Sequence, residues 1–117
     1  MTFDARPYVE HYRAENEKEK QRIRVDAERA RGEARRLAGE IMRSGAGVRA
    51  VILFGSLAEG EPRNAEFDID LAIDGGDLYR VLDCTEASEF EVDVVQLDRV
   101  AEHVLARIRS RGVVLSP

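Results

Sequence analysis

A chain of 117 residues has room for one domain with one modest core. Charged residues make up 35% of it and the net charge is −5, so much of it must be solvated, and tight binding along a nucleic-acid backbone is disfavoured. Cys84 is the single cysteine, which excludes an internal disulfide and a cysteine-built zinc site. No apolar run approaches the ~18 residues of a membrane span, and no signal-peptide core is legible. The expectation is a soluble, cytoplasmic protein. The charge is uneven. Residues 1–46 carry eleven Lys or Arg and nine Asp or Glu, whereas residues 47–117 carry seven and fourteen. The acidic half suits a small nucleotide arriving with Mg²⁺ better than a long phosphate backbone. His11 and His103 are far apart in charged surroundings and read as surface residues.

Met1 to Pro7 reads as an irregular start. From Tyr8 to Ser44 there is no proline, and Gly32 and Gly39 are the only glycines, so one long helix or two is expected. The first half is almost entirely polar, with Glu15–Lys18 and Glu17–Lys20 spaced to support a solvated helix. The second half carries Ile23, Ala27, Ala30, Ala34, Leu37, Ala38 and Ile41 at steps of three and four, a stripe made to pack on a sheet. Phe3, Tyr8, Val9 and Tyr12 form an apolar patch at the polar end. That patch folds back on the domain, is disordered, or serves as a partner-binding or dimerising arm. The division expected is an N-terminal helical segment over 1–46 and a core over 47–117, one domain overall.

Val48 to Phe54 reads as the first strand, Phe67 to Ile73 as the second and Phe90 to Leu97 as the third. Asp77 to Asp83 reads as a short helix with Leu78, Val81 and Leu82 inward. Asp98 is placed to cap a last helix, with Val100, Val104, Leu105 and Ile108 inward, and Gly112 to stop it. Val113–Val114–Leu115 adds a short edge strand. Helices before and after a small mixed sheet give an α+β fold, an α/β sandwich.

The stretch VILFGSLAEGEPRNAEFDIDLAID, Val51 to Asp74, carries the chemistry. In its second apolar run Phe67, Ile69, Leu71 and Ile73 alternate with Asp68, Asp70, Ala72 and Asp74, so a strand places Asp68 and Asp70 on one face. Two carboxylates that close repel unless a cation sits between them. A solvated strand face also often carries two aspartates, so this pair alone is a weak signal. The Gly55–Ser56 turn offers backbone N–H groups to an anion, and Ser56 with Glu59 also fits a helix-capping box. Counted from Asp68, an EF-hand loop fails, because its required glycine falls at Ile73 and its closing glutamate at Tyr79. A P-loop fails because no Gly-Lys-Ser/Thr follows the turn. In FEVDVVQL, Asp93 is a charge on a strand otherwise fit for burial, which costs free energy unless it is paired or bound to metal. Glu91 reads as a solvated residue at the strand mouth.

LFGSLAEG, FDIDLAI and FEVDVVQL, in this order, resemble the minimal nucleotidyltransferases of the DNA polymerase β-like superfamily. The resemblance spans about Val48 to Leu115. It implies that Asp68, Asp70 and Asp93 are the catalytic carboxylates and bind two Mg²⁺ ions, that Gly55 and Ser56 hold the triphosphate of ATP, and that AMP is moved to a hydroxyl. Two departures stand out. The loop between Leu57 and Phe67 is one residue longer than usual, with Phe67 in place of a common serine. Glu59 stands where many members carry arginine, a negative charge near the expected phosphates. Minimal members are often paired with a helical HEPN-type toxin, which they neutralise as antitoxins by transferring AMP to it. The resemblance therefore implies such a partner, with one of its tyrosines as acceptor. Self-association through the N-terminal helix is a further expectation. Two other readings stay open: a binding module that neutralises its partner by contact alone, and transfer to a small molecule.

Overall fold

The computed structural model describes residues 4–116, so Phe3 of the expected apolar patch lies outside the described residues. One unbroken helix, α1 (Arg6–Arg43), opens the chain. Pro7 sits in its first turn, where its missing N–H is no loss. Gly32 and Gly39, at about 1 kcal/mol each against alanine, do not divide it, because strong helix formers flank both. It ends where the Ser44 hydroxyl donates to the Ile41 carbonyl at 2.6 Å and Gly45 takes a φ of +78°. Then follow β1 (Ala50–Phe54), β2 (Ile69–Asp74), α2 (Leu78–Thr85), β3 (Val92–Gln96), α3 (Glu102–Arg111) and β4 (Val113–Ser116).

The four strands form one mixed sheet in the order β3-β2-β1-β4. β1 pairs antiparallel with β2 and β4, and β2 pairs parallel with β3. One face of the sheet supplies Val51, Leu53, Ile69, Leu71 and Ile73. These join Ala27, Ala30, Ala34, Leu37, Ala38 and Ile41 of α1 and Val81 of α2 in a single core. Full burial of Leu37 or Ile41 contributes about 1.5–3 kcal/mol each. The other face carries Ile52, Phe54, Asp70 and Ala72, with Phe54 opposite Asp70. Here α3 covers β1 through the buried Ile108.

The stripe from Ile23 to Ile41 is buried as expected, while residues 6–22 of α1 are exposed throughout. The helix thus projects from the domain. The molecule measures 72 × 30 × 18 Å with a radius of gyration of 18.5 Å, against roughly 13 Å for a compact chain of this length. Tyr8, Val9 and Tyr12 do not fold back and stay 60%, 44% and 66% exposed.

Several local expectations are corrected. The strands begin later and are shorter than the apolar runs, so Phe67 and Asp68 precede β2 and Phe90 and Glu91 precede β3. Leu82 faces outward and Thr85 takes the inward place on α2. Asp98 lies in the turn after β3 and does not cap α3, whose N-cap is Ala101. Gly112 ends α3 with an ordinary φ of −72°, not a left-handed one. It is glycine because of contact: a β-carbon would collide with the Ile108 carbonyl and stand 2.7 Å from Ile52 Cγ2.

Candidate active site

Gly55 ends β1 with a φ of +75°. This left-handed conformation turns the chain sharply, and glycine adopts it without steric cost. The Gly55 carbonyl accepts from the N–H groups of Ala58 and Glu59, both at 3.1 Å, giving one helical turn after Ser56. The capping box expected of Ser56 and Glu59 does not form. The Glu59 carboxylate instead accepts from Arg107 Nη2 at 2.7 Å and Nε at 3.1 Å, with Arg111 Nη1 at 3.6 Å. These ion pairs hold the Glu59 carboxyl below its usual range, the hydrogen bond from Arg107 being the chief cause. The rest of the turn is tied to α1 by Arg31. Its guanidinium donates to the carbonyls of Leu57 at 2.9 Å and Gly60 at 2.7 Å, and stands 3.5 Å from Glu61.

The three aspartates arrive on neighbouring backbone. Asp70 and Asp93 are register partners across the parallel β2–β3 pair. Asp68 precedes β2 and lies near enough for its charge to act on Asp70. Asp70 is the half-buried member; Asp68 and Asp93 are exposed. Burial of Asp93 is therefore corrected: β3 is an edge strand, and its side chain stays in water. The desolvated charge is on Asp70. Burial first, then the charges of Asp93 and Asp68, push its carboxyl up to about 6. A β-carbon at Gly55 would run into the Asp70 carboxylate, so the turn and Asp70 adjoin.

None of these three carboxylates has a hydrogen-bond or ion-pair partner among the described residues. Neighbouring Asp74, by contrast, is held by Arg49 at 2.8 Å. Oxygen donors that repel one another and lack a cation suit a hard divalent ion such as Mg²⁺. Among the described residues, however, no three acidic, His or Cys side chains converge closely enough to hold a metal by themselves. A divalent ion here would need substrate phosphates and water to complete its ligands, as Mg²⁺ usually does.

A cavity of about 500 Å³ beside the turn is lined by Gly55, Ser56, Arg63 and Arg107 together with Glu59 and Glu66. A narrower one of about 260 Å³ runs between Phe54 and α3, past Val104 and Ile108. Sequence reading missed Arg31 and Arg107, whose partners lie 26 and 48 residues away, beyond any motif spacing.

Among the described residues, no helix is long and apolar enough to cross a membrane. Compared as sequences, no curated protein matches the chain. Compared as structures, it is similar to a chain from a crystal structure of a toxin–antitoxin MntA–HpeT mutant, with a TM-score of 0.57 and 17% identity over 70% of this chain and 71% of that one. At that identity the likeness is one of fold. The family model described as polymerase beta, nucleotidyltransferase matches residues 38–116, more than half of the chain and all three motif segments. On that match the chain belongs to the polymerase β-type nucleotidyltransferase family.

Proposed function

We propose that this protein transfers AMP from ATP to a hydroxyl of a separate protein partner, a tyrosine of a HEPN-type toxin, and so acts as an antitoxin. The observation that carries the proposal is the set of Asp68, Asp70 and Asp93 near the Gly55–Ser56 turn, with no ion-pair partner among the described residues. Asp68 and Asp70 would hold divalent ions, and Asp93 would complete the site. Bound there, Mg²⁺ would neutralise triphosphate charge and lower the pKa of an attacking hydroxyl. The chain's own residues do the rest. Gly55 lets backbone approach the phosphates closely, and Ser56 presents N–H and hydroxyl donors. Desolvated Asp70 would hold the ion that sets the α-phosphate against the acceptor. The acceptor oxygen loses its proton to solvent and bonds to the α-phosphorus, the bond to the bridging oxygen breaks, and pyrophosphate leaves. Catalysis of this kind is positioning and charge neutralisation, which needs few residues.

A protein acceptor is favoured by two features. The core half is too acidic for a nucleic-acid backbone. The projecting end of α1 also presents Tyr8, Val9 and Tyr12. With ~3.6 residues per turn, these lie on the same side of the helix as Ile23, Ala27 and Ala30. A helical partner laid along α1 would cover that side and bring its own tyrosine to the rim of the sheet. The similar structure is of a toxin–antitoxin pair, which supports the same reading. The test mixes the chain, a co-encoded helical protein, Mg²⁺ and each nucleoside triphosphate, then weighs both proteins intact. An AMP adduct on the partner that disappears with Asp70→Asn is the expected result. A second reading, neutralisation by contact alone, is favoured by the lack of a ready-made metal group among the described residues. It predicts no adduct and full neutralisation by Asp70→Asn.

A further inference from the structure

Arg107 stands in the wall of both cavities that meet at Gly55, and it is occupied by an acid of the same site. The cavity beside Gly55 and Ser56 has two cationic residues in its lining, Arg63 and Arg107. Arg63 pairs with no carboxylate among the described residues, whereas Arg107 meets Glu59 with two parallel hydrogen bonds, at 2.7 and 3.1 Å. A guanidinium fork matches a phosphate as well as it matches a carboxylate, with the same bidentate geometry. The Arg107 side chain is 65% exposed and that of Glu59 20%, so the pair opens to solvent on the arginine side, and pairs at the surface are held weakly. Arg111 Nη1 is already 3.6 Å from Glu59 Oε1, so a carboxylate pushed off Arg107 keeps a cationic partner.

Resting on the nucleotide-binding reading above, we infer that Arg107 is a triphosphate-binding residue and that Glu59 is a built-in competitor for it. The incoming β- and γ-phosphates displace the Glu59 carboxylate from the Arg107 fork, and Glu59 passes to Arg111. The ligand class is the polyphosphate tail of a nucleoside triphosphate. A nucleoside monophosphate lacks the groups that reach this fork. The negative charge at position 59 is then a device that lowers affinity, not a breach in the site.

Isothermal titration of the full chain with Mg·ATP and with AMP tests this, using Glu59→Gln, Arg107→Ala and the double variant. All are surface changes whose folding is checked by melting temperature. Glu59→Gln should tighten Mg·ATP about fivefold, the value of one exposed pair. Arg107→Ala should weaken it about tenfold, the value of one charged hydrogen-bonding partner. In the Arg107→Ala background the gain from Glu59→Gln should vanish, which separates competition for Arg107 from simple removal of a negative charge. AMP affinity should stay within about twofold throughout. Wild-type binding of Mg·ATP with no gain in Glu59→Gln, or with the same gain in the double variant, overturns this inference alone. A wild-type chain that binds no Mg·ATP overturns the nucleotide reading as well.

Discussion

The α-carbon of Gly55 lies directly against the carboxylate of Asp70, so that a β-carbon at position 55 would collide with Oδ2 and stand 3.1 Å from Cγ. This contact joins the end of β1 to β2 at the acidic site, and no side chain other than hydrogen fits between them. Gly55→Ala should therefore fail twice. The φ of +75° is unfavourable for alanine by about 1–2 kcal/mol, and Asp70 must move to admit the methyl group. Urea unfolding should show a loss of roughly 2–3 kcal/mol, and Mg·ATP affinity should fall at least ~10-fold. A variant as stable and as tight-binding as the wild type would show that the turn relaxes away from Asp70.

Asp70 makes stability depend on pH in a direction opposite to a salt-bridged aspartate. Its folded pKa of about 6 lies above an ordinary 3.8, so the folded chain holds this proton more tightly than the unfolded chain. The stabilisation is fully present below about pH 4 and is lost as pH rises through about 6. A sealed site would make the difference about 3 kcal/mol; for a half-buried group we expect roughly half of that. Asp70→Asn should raise the melting temperature at pH 7.5 by about 4–8 °C and leave it unchanged at pH 4. Mg²⁺ should raise the wild-type melting temperature at pH 7.5 and much less at pH 5, where the carboxyl is protonated. A variant less stable than wild type at pH 7.5 would mean that Asp70 is satisfied by contacts of its own.

Asp93 separates the two roles a carboxylate can play here. It stands in water on the edge strand β3, so Asp93→Asn should change stability by no more than about 0.5 kcal/mol. If it completes the metal site, the same variant should lower Mg²⁺-dependent ATP binding at least ~5-fold. Titrating Mg·ATP with and without EDTA measures this. Equal binding by variant and wild type would leave Asp93 a solvated residue of the edge strand.

The sheet was legible because its signals are local. Ile69, Leu71 and Ile73 alternate, Gly55 and Gly75–Gly76 interrupt the runs, and the stripe from Ile23 to Ile41 keeps helical spacing. Two kinds of information were not local. Which strand lies at the edge follows from the order β3-β2-β1-β4, and this order moved the desolvated charge from Asp93 to Asp70. The partners of Glu59 and of the turn carbonyls are arginines on α3 and α1, whose side chains are indistinguishable in sequence from the other surface arginines. Asp98 was misread because it matches a capping signal, and tertiary contacts decide between a cap and a turn; Gly112 does stop α3, through close contact and without a left-handed φ.

The projecting end of α1 should serve docking and contribute nothing to the core. Residues 4–22 are exposed and carry surface pairs such as Lys20–Glu17 at 3.7 Å, each contributing about 0.3–0.5 kcal/mol. The first buried residue is Ile23. Deleting residues 1–21 should therefore leave the melting temperature within about 3 °C, whereas Leu37→Ala, in the same helix but fully buried, should cost about 2–5 kcal/mol. The deletion should also abolish stable complex formation with the helical partner while preserving Mg·ATP binding, because the arm removed is remote from Gly55 and Asp70 along α1. Size-exclusion chromatography of the full and shortened chains, each alone and with the partner, reads all of this. A full chain that runs as a dimer and a shortened one that runs as a monomer would assign Tyr8, Val9 and Tyr12 to self-association. A shortened chain that unfolds would mean that the polar half of α1 supports the sheet, against every exposure in that segment.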